Sequence, residues 1–421
     1  MKKNAIYAQS GGVTAVINAS AAGVIEACRE YSEQIGILYA AENGILGVLH
    51  EELIDTSIET CENIKKLKST PGGAFGSCRY KLKSLTDNRK EYERLIEVFK
   101  AYDVGYFFYN GGNDSADTCL KVSQIANELG YPLKAIHVPK TIDNDLVKTD
   151  NCPGFGSVAK YVATSIREAG MDLESMCKTS TKVFILEVMG RHAGWIAAAC
   201  GVASDENSFQ APHIILFPEI PFDETAFIAK VKQTVEQYGY CVIAVSEGVK
   251  DSSGVELSAS QSTVDDFGHR QLGGVAPIVA QIVKKHLGYK YHWAVADYLQ
   301  RSARHIASSV DVEQAYAVGY AGVKYAVEDN LHGVMSAIIR TSQNPYKWEI
   351  QPVKLEEVAN HEKFMPRNFI SEDGFHITDV CREYLLPLMV GENYPEYKNG
   401  LPDYVRLENK LVAKKLPPFV K

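Results

Sequence analysis

The chain has 421 residues, 46% of them hydrophobic and 23% charged, and its 52 acidic against 44 basic side chains leave a formal net charge of −8. This composition is typical of a globular protein of roughly two or three domains, and it excludes the disordered and fibrous classes. The acidic balance argues against a protein that binds nucleic acid or an anionic membrane non-specifically.

The sequence shows no segment that would carry the chain into a membrane. No apolar run approaches the roughly 20 residues of a membrane-spanning helix. The residues Gln9–Gly12 interrupt the short apolar stretch at the N-terminus, so no secretory signal is expected. The nine cysteines are scattered and form no C-x-x-C pair, which favours free thiols in a reducing compartment. We therefore expect a cytoplasmic protein that binds neither nucleic acid nor membranes.

Short apolar runs bounded by Gly or Asn alternate with longer stretches of helical periodicity, which predicts strands alternating with helices. The predicted strands are Asn4–Gln9, Ile35–Ala41, Val104–Asn110, Leu133–Val138, Lys182–Met189, His213–Phe217 and Cys241–Ser246. The predicted helices are Val13–Tyr31, Asp114–Leu129, Gly156–Met176, His192–Val202, Asp223–Tyr238 and Gly274–Leu287. The strands are almost continuously apolar, as expected where helices cover both faces of a parallel sheet.

This pattern predicts an α/β fold, a three-layer sandwich around parallel sheets. One series of strands and helices ends near Asp205, so we expect an N-terminal α/β lobe over residues 1–205 and a second lobe over residues 206–345. From about Tyr346 the sequence is mixed in charge and poorly periodic. Residues 346–421 are therefore expected to form a C-terminal extension packed on the core.

Two glycine pairs follow predicted strands. Gly11–Gly12 comes directly after the first strand, and Gly111–Gly112 comes after the third, followed by Asn113 and Asp114. Glycine lets the backbone approach an anion, and a helix that follows supplies free N–H groups. A single pair is also consistent with a tight turn or a capped helix start. Their repetition at two strand ends favours an anion site, because open α/β sheets bind ligands there.

A third strand end carries an acid-rich turn, Pro139-Lys140-Thr141-Ile142-Asp143-Asn144-Asp145. Two carboxylates two residues apart, with a cation and a hydroxyl just upstream, could provide a general base and a metal ligand. The alternative is an Asx-turn whose acids are only solvated. The turn taken by itself leaves both interpretations open.

Six motifs follow one another along the chain: Gly-Gly at 11–12, Gly-Gly-Asn-Asp-Ser at 111–115, the acid-rich turn at 139–145, Glu-Val-Met-Gly-Arg at 187–191, Ser-Glu-Gly at 246–248 and Leu-Gln-Arg at 299–301. This ordered set resembles the 6-phosphofructokinase family. The resemblance implies two Rossmann-like lobes with the active site in the cleft between them. It also implies transfer of a phosphoryl group to fructose 6-phosphate with Mg²⁺ as cofactor.

The resemblance also implies roles for individual residues. Asp143 would be the base that takes the proton of the sugar C1 hydroxyl, which suits an ionised carboxylate at neutral pH. Asp145 would be the supporting acid on the metal side, and Thr141 would donate to the transferred group. Arg191 would supply a planar fork to phosphoryl oxygens. The further residues implied for the sugar phosphate are Lys182, Met189, Gly190, Glu247, Tyr298 and Arg301.

Four residues carry the expectation about the donor. Gly12 and Arg79 match donor-binding positions of the family. Asp114 and Lys140 stand where ATP-using members have glycine. A carboxylate at 114 would exclude a nucleotide α-phosphate, and the Lys140 ammonium suits a terminal inorganic phosphate. The pair resembles the pyrophosphate-dependent branch of the family. The resemblance therefore implies pyrophosphate as donor, and the reaction should be readily reversible.

Some positions depart from the family pattern. Asn113 replaces the usual Mg²⁺-binding Asp; its amide oxygen can still coordinate but adds no charge. Lys182 and His292 stand where ATP-using relatives have arginines that cross a subunit interface, so we expect a homodimer or homotetramer. The alternatives are an ATP-dependent enzyme and an acceptor range that includes sedoheptulose 7-phosphate. A non-catalytic regulatory subunit is disfavoured because Asp143, Asp145 and Arg191 are all present.

Overall fold

The computed structural model describes residues 2–204, 211–258 and 274–420, and it divides the chain into two compact units. The first unit comprises residues 1–154, 309–362 and 392–421, and the second comprises residues 155–308 and 363–391. Among the described residues, no helix combines the length and the apolar character needed to cross a membrane.

The strands described in the structure, in chain order, are β1 Lys3–Gln9, β2 Ile35–Ala41, β3 Leu53–Asp55, β4 Val104–Gly111, β5 Lys134–Pro139, β6 Val183–Val188, β7 Ile214–Leu216, β8 Cys241–Ser246, β9 Tyr291–Val295, β10 Val334–Ser342, β11 Lys347–Lys354, β12 Tyr397–Lys398 and β13 Leu401–Pro402. The α-helices are α1 Ile17–Glu30, α2 Ile45–His50, α3 Cys61–Leu67, α4 Arg89–Ala101, α5 Asn113–Glu128, α6 Phe155–Met176, α7 Trp195–Cys200, α8 Glu224–Tyr238, α9 Val275–Leu287, α10 Asp297–Ser302, α11 Ser309–Val327 and α12 Asp379–Leu385.

The first unit is built on a seven-stranded sheet in the order β11-β10-β5-β4-β1-β2-β3. The five central strands are parallel, and the two outer strands, β11 and β3, run antiparallel to their neighbours. Alternate residues of β1 face opposite sides: Ile6 and Ala8 enter one buried cluster, while Ala5 and Tyr7 enter another. Because each face of the sheet carries its own apolar core, the predicted three-layer arrangement is confirmed in this unit.

The second unit is built on a four-stranded parallel sheet in the order β7-β8-β6-β9. The central strand β8 is completely buried, whereas β9 is an edge strand with three exposed residues among its five. Val183, Ile185, Ile243 and Val245 pack with residues of α8 and α9 in one apolar cluster. This sheet places the ends of β8, β6 and β9 side by side, which positions the residues described below.

The observed elements match the predicted ones most closely where strands are fully buried. The bounds of β2 and β8 are as predicted, and α6 begins one residue earlier than predicted. The first helix starts at Ile17 rather than Val13, so it does not follow Gly11–Gly12 directly. The strands β3, β9, β10, β11, β12 and β13 were not predicted. In β11, half-buried and exposed residues mostly alternate and a proline is present, so it has no continuous apolar run.

The division into units differs from the predicted division at residues 205 and 345. The switch near Asp205 lies next to residues outside the described part, and the units actually exchange at 154/155 and 308/309. The reason is pairing: β6 joins β8 and β9 and takes no part in the first sheet. Residues 346–421 are also not one extension. β11 belongs to the first sheet, and residues 363–391 belong to the second unit.

Candidate active site

The three predicted turns of the first unit lie at one edge of its sheet. The strands β1, β4 and β5 are parallel neighbours, so Gln9 pairs with Asn110 and Gly111 pairs with Pro139 at their carboxyl ends. Ser10 N donates to the Asn110 carbonyl at 2.9 Å, and Lys140 N donates to the Gly111 carbonyl at 3.0 Å. The two glycine pairs and the acid-rich turn are therefore brought together by backbone pairing.

Lys140 lies against the first glycine turn. Gly11 has φ of +76°, a conformation that favours glycine, and a Cβ added there would lie 3.2 Å from Lys140 Nζ. The lysine residue is buried, with 4% of its surface exposed. A side chain at position 11 would thus displace the ammonium group. The structure therefore unites two of the predicted donor-site features, the glycine turn and the lysine.

The segment that carries Arg79 is fastened to the same turn. Gly11 N donates to the Cys78 carbonyl at 2.9 Å, and Ser77 Oγ donates to the Gly11 carbonyl at 2.7 Å. Arg79, the next residue in the chain, is exposed. The backbone that precedes Arg79 therefore lies beside the first glycine pair.

Asp114 has a partner that the sequence analysis missed. Its carboxylate forms a salt bridge with Lys81, with Nζ 2.6 Å from Oδ1, and both side chains are partly exposed. Asp114 raises the pKa of Lys81, chiefly through this hydrogen bond. Lys81 lies only two positions after Arg79, whereas Asp114 is 33 positions further along the chain. No local sequence pattern indicates the contact between them. The negative charge at position 114 is therefore matched by a cation in the same unit.

Asn113 was expected as a metal ligand, and its amide is already engaged by the backbone of the first unit. Asn113 Oδ1 accepts from the Asn360 backbone N–H at 2.7 Å, and Asn113 Nδ2 donates to the His361 carbonyl at 2.5 Å. Among the described residues, no group of three or more His, Cys, Asp or Glu side chains is arranged to hold a metal ion.

The acid-rich turn at residues 139–145, the proposed catalytic turn, is ordered by its own side chains. Thr141 Oγ1 accepts from the Asp143 backbone N–H at 3.1 Å and lies 3.3 Å from Asp143 Oδ2. Asn144, in the left-handed region with φ of +56°, accepts from Cys152 N at 3.0 Å through its own Oδ1. The Thr141 hydroxyl and the Asn144 amide therefore both stabilise the turn through hydrogen bonds to backbone N–H groups. They fix Asp143 at the sheet edge as a half-buried carboxylate.

Asp145 is the least satisfied acid of this edge. Its Oδ1 is buried and has no hydrogen-bond partner. Burial raises the pKa of Asp145 to about 7, and the nearby charges of Asp143 and Glu362 add to the effect. A buried carboxylate oxygen without a donor suits a cation. Mg²⁺ is usually held by one or two carboxylates together with substrate phosphates and water, so Asp145 fits that ion.

A neutral histidine lies beneath this edge. His137, on β5, is completely buried, and burial lowers its pKa to about 3. The Lys140 charge acts on the pKa in the same direction. The cationic character of the edge is therefore carried by Lys140 rather than by the imidazole.

In the second unit the predicted sugar-phosphate residues also collect at one sheet edge. Val188 of β6 pairs with Ser246 of β8, so Met189–Arg191 and Glu247 continue from neighbouring strands. Glu247 Oε1 accepts from Gly190 N at 3.2 Å, and Gly190 has φ of +130°. Gly248 approaches the Arg191 backbone so closely that an added Cβ would lie 2.0 Å from its carbonyl oxygen.

The third strand of this edge contributes Tyr298 and Arg301 through α10. The Arg301 guanidinium lies 3.9 Å from the centroid of the Tyr298 ring, and Tyr298 is 61% exposed. Between them, the buried Gln300 accepts from Met189 N at 3.2 Å through Oε1. The role of Gln300 was missed, although it stands inside the Leu-Gln-Arg motif. It joins α10 to the Met189–Arg191 loop.

Lys182 does not join this group within its own chain. It precedes β6, whereas Met189 follows it, and seven extended residues at about 3.3 Å each separate them by roughly 23 Å. Lys182 Nζ donates to the Cys177 carbonyl at 2.5 Å. His292 lies at the same end of the sheet, where it pairs with Phe184.

Known proteins resemble this chain over most of its length. The family model described as phosphofructokinase matches residues 4–325. The chain is 63% identical to pyrophosphate–fructose 6-phosphate 1-phosphotransferase of Methylococcus capsulatus, over 98% of each chain. It is 62% identical to the protein of the same name from Halomonas elongata, over 99% of each.

A solved structure extends the comparison to three dimensions. The crystal structure of pyrophosphate-dependent phosphofructokinase from Nitrosospira multiformis has a TM-score of 0.92, 61% identity and 100% coverage of both chains. This structural match therefore covers both sheets and the strand ends that carry the motifs. The chain belongs to the phosphofructokinase family.

Proposed function

We propose that the protein transfers a phosphoryl group from pyrophosphate to the C1 hydroxyl of fructose 6-phosphate, giving fructose 1,6-bisphosphate and phosphate in a reversible reaction of glycolysis and gluconeogenesis. The observation that carries the proposal is the donor edge of the first sheet, where the buried Lys140 lies against Gly11 and Asp114 is paired with Lys81. The names of the relatives from Methylococcus capsulatus and Halomonas elongata support it.

Asp143 acts as the base of this reaction. Its carboxylate accepts the proton as the C1 oxygen forms its bond to phosphorus and the bridging P–O bond of pyrophosphate breaks. The departing phosphate leaves with the electron pair of that bridging bond. Thr141, whose hydroxyl lies 3.3 Å from Asp143 Oδ2, holds the carboxylate and donates to the transferred group. Arg191 stabilises the charge on the equatorial oxygens.

The donor is selected by charge and by size. Lys140 and Arg79 bind the phosphate that is released, and Gly12 lets it approach the backbone. Asp114 occupies the position that a nucleotide would need for its further phosphate. Its charge would also repel pyrophosphate, and the Lys81 ammonium at 2.6 Å offsets this repulsion. Asp114 can therefore exclude ATP without weakening the smaller donor.

Mg²⁺ is the cofactor that the acids of this edge would hold. Asp145, through its unpartnered Oδ1, is the residue we assign to it. The ion supplies charge neutralisation of the donor oxygens when bound. Asp145 must be ionised for this role, so the unfavourable burial of its charge is relieved only when a cation is present.

The second unit binds the sugar phosphate. Glu247 accepts hydrogen bonds from sugar hydroxyls, and Arg301 and Tyr298 bind the 6-phosphate. Met189 and Gly190 form the loop that contacts the substrate, and Gln300 and Glu247 fix the backbone of that loop. These contacts do not by themselves limit chain length, so sedoheptulose 7-phosphate is the second acceptor to test.

A homodimer or homotetramer is the assembly we propose. Lys182 and His292 lie at the opposite end of the sheet from the other sugar-phosphate residues of the chain, so they would serve a second copy. The edge strand β9, which carries His292, also exposes Trp293 (45%) and Val295 (39%). Such apolar exposure favours a protein partner. We also propose a reducing cytoplasmic setting, because the nine cysteines, all in the described part of the chain, form no disulfide.

The donor proposal is tested by assaying fructose 6-phosphate with pyrophosphate and with ATP separately. We expect pyrophosphate activity to exceed ATP activity at least 100-fold, roughly the discrimination that a misplaced charge provides. Lys81→Met should raise the pyrophosphate KM about fivefold, because Asp114 then repels the donor. Lys83→Met, also exposed and in the same segment, is the control and should leave KM unchanged. Higher activity with ATP would overturn the proposal.

A further inference from the structure

Residues 355–362 lie beyond the part of the chain that the family model matches, yet they contact the candidate active site of the first unit. Leu355 N donates to the Gly333 carbonyl at 2.9 Å, and both Leu355 and Val358 are completely buried in the core. The segment therefore starts from a fixed position. We call residues 355–362 the clasp segment.

The clasp segment is bound to the first turns of α5. Asn113 contacts its backbone twice, accepting from Asn360 N at 2.7 Å and donating to the His361 carbonyl at 2.5 Å. The Asn360 side chain adds a third contact, because its Nδ2 donates to Asp117 Oδ1 at 3.0 Å. The helix that carries Asp114 is thereby tied to a segment almost 250 residues further along the chain.

The same segment is bound to the chain that leaves the catalytic turn. Leu146, directly after Asp145, forms an antiparallel bridge with Glu362. Two residues later, Lys148 Nζ lies 3.0 Å from Glu357 Oε2. One short segment therefore contacts both the donor-site helix and the residues that follow the catalytic acids.

The side-chain chemistry at position 113 fits this contact. An amide donates through nitrogen and accepts through oxygen at the same time, whereas a carboxylate can only accept. Only the amide can satisfy both the Asn360 N–H and the His361 carbonyl. Both functional ends of Asn113 are thus used by protein backbone, which competes with the metal-ligand role expected from the sequence.

We propose that Asn113 is a positioning residue that fastens the clasp segment across α5 and the catalytic turn, and that it is not a ligand of Mg²⁺. The clasp segment then fixes the separation between Asp114 on the donor side and Asp143 and Asp145 on the catalytic side. The proposal rests on the proposed function for its kinetic consequence, but its structural part stands on the contacts alone.

The test uses Asn113→Ala in the full-length chain, with three readouts. Hydrogen exchange of the Asn360 amide should become at least tenfold faster, because its acceptor is lost. The kcat with pyrophosphate should fall about tenfold, an effect of the size expected from one or two lost hydrogen bonds. The dissociation constant of Mn²⁺ alone, measured by electron paramagnetic resonance, should change less than twofold. Asn127→Ala, an exposed amide on the same helix, is the control for all three.

A second variant separates the two roles further. Asn113→Asp keeps an acceptor for Asn360 N but places a carboxylate against the His361 carbonyl, so kcat should fall. A metal ligand at this position would instead bind Mn²⁺ more tightly as Asp, and would lose at least tenfold affinity as Ala.

A tenfold loss of Mn²⁺ affinity in Asn113→Ala with unchanged exchange at Asn360 would overturn the proposal, as would an unchanged kcat with faster exchange. Absence of pyrophosphate activity in the unmodified chain would refute the proposed function alone, since the exchange and Mn²⁺ measurements need no reaction.

Discussion

The carboxyl edges of the two sheets use their acidic side chains in opposite ways. In the second unit, Glu187 accepts from Gly274 N and Ala276 N, and Glu247 accepts from Gly190 N, so these acids hold backbone in place. In the first unit, Asp145 keeps a buried oxygen without a partner, and Asp114 is matched by an exposed lysine. Glu219, which follows β7, also keeps one buried oxygen without a partner, but its other oxygen accepts from Gly194 N at 2.8 Å. Asp145 differs because the nearby acids Asp143 and Glu362 raise its pKa further, so the edge of the first unit gains most from a cation.

The difference indicates a division of chemical roles. An edge whose Glu187 and Glu247 carboxylates bind backbone N–H groups, and which also carries arginines, is suited to bind an anion without large rearrangement of charge. An edge with an unsatisfied buried acid is less stable by itself and gains most from a bound metal and its phosphate ligands. The two edges should therefore respond differently to substitution, and three experiments test this.

The largest effect is expected at the base. Asp143→Asn keeps the size of the side chain but removes the charge that accepts the C1 proton, so kcat should fall about 10²- to 10⁴-fold. Binding of fructose 6-phosphate, measured as the ligand-induced rise in Tm, should be largely retained because the residues proposed for the 6-phosphate and the other sugar hydroxyls lie in the second unit. A kcat within threefold of the unmodified enzyme would show that another group takes the proton.

The second experiment addresses the anion-binding edge. Arg301→Met removes the cation but keeps an apolar chain over the Tyr298 ring, so the KM for fructose 6-phosphate should rise about 10- to 100-fold. The pyrophosphate KM should change less than threefold. Lys285→Met, an exposed charge on α9 in the same unit, serves as the control. Equal changes in both KM values would remove the proposed division between the edges.

The smallest effect is a shift of stability with pH. Burial raises the pKa of Asp145 to about 7 in the folded chain, whereas the pKa of an aspartate in the unfolded chain is near 4. Between about pH 4 and pH 7 the unfolded chain releases this proton and the folded chain retains it, so the folded state loses stability as the pH rises. In metal-free buffer, Asp145→Asn should raise Tm at pH 8 by about 2–4 °C more than at pH 5.5. Mg²⁺ with pyrophosphate should stabilise only the unmodified chain. An identical Tm difference at both pH values would contradict a buried, ionised Asp145.

The fold could be predicted where burial is uniform. Strands such as β2 and β8 are covered on both faces, and their continuous apolar runs stand out in the sequence. The edge strands β9 and β11 could not be predicted in this way, because Trp293 and Val295 are exposed and β11 alternates between polar and apolar residues. The pairing of β10 with β5 joins residues nearly 200 positions apart, which no local pattern indicates.

The site could be predicted as far as strand ends determine it. The glycine turns and the catalytic turn follow β1, β4 and β5, and parallel pairing brings them together. The contacts of Asp114 with Lys81 and of Asn113 with the clasp segment depend on tertiary packing, so no local sequence pattern indicates them. Gln300 and Glu187 are different, since both stand within motifs recognised from the sequence and only their hydrogen-bond partners were unknown.

The way the chain passes between its two units has a consequence for its synthesis on the ribosome. The first unit needs residues 309–362 and 392–421, and the second needs residues 363–391. The central sheet of the first unit therefore lacks β10 and β11 until residue 354 has been synthesised. Until then, β5 is an unpaired edge strand. The first unit therefore cannot complete its sheet co-translationally as an independent N-terminal domain would, so the edge of β5 has to be protected from pairing with other chains until residue 354 has been synthesised.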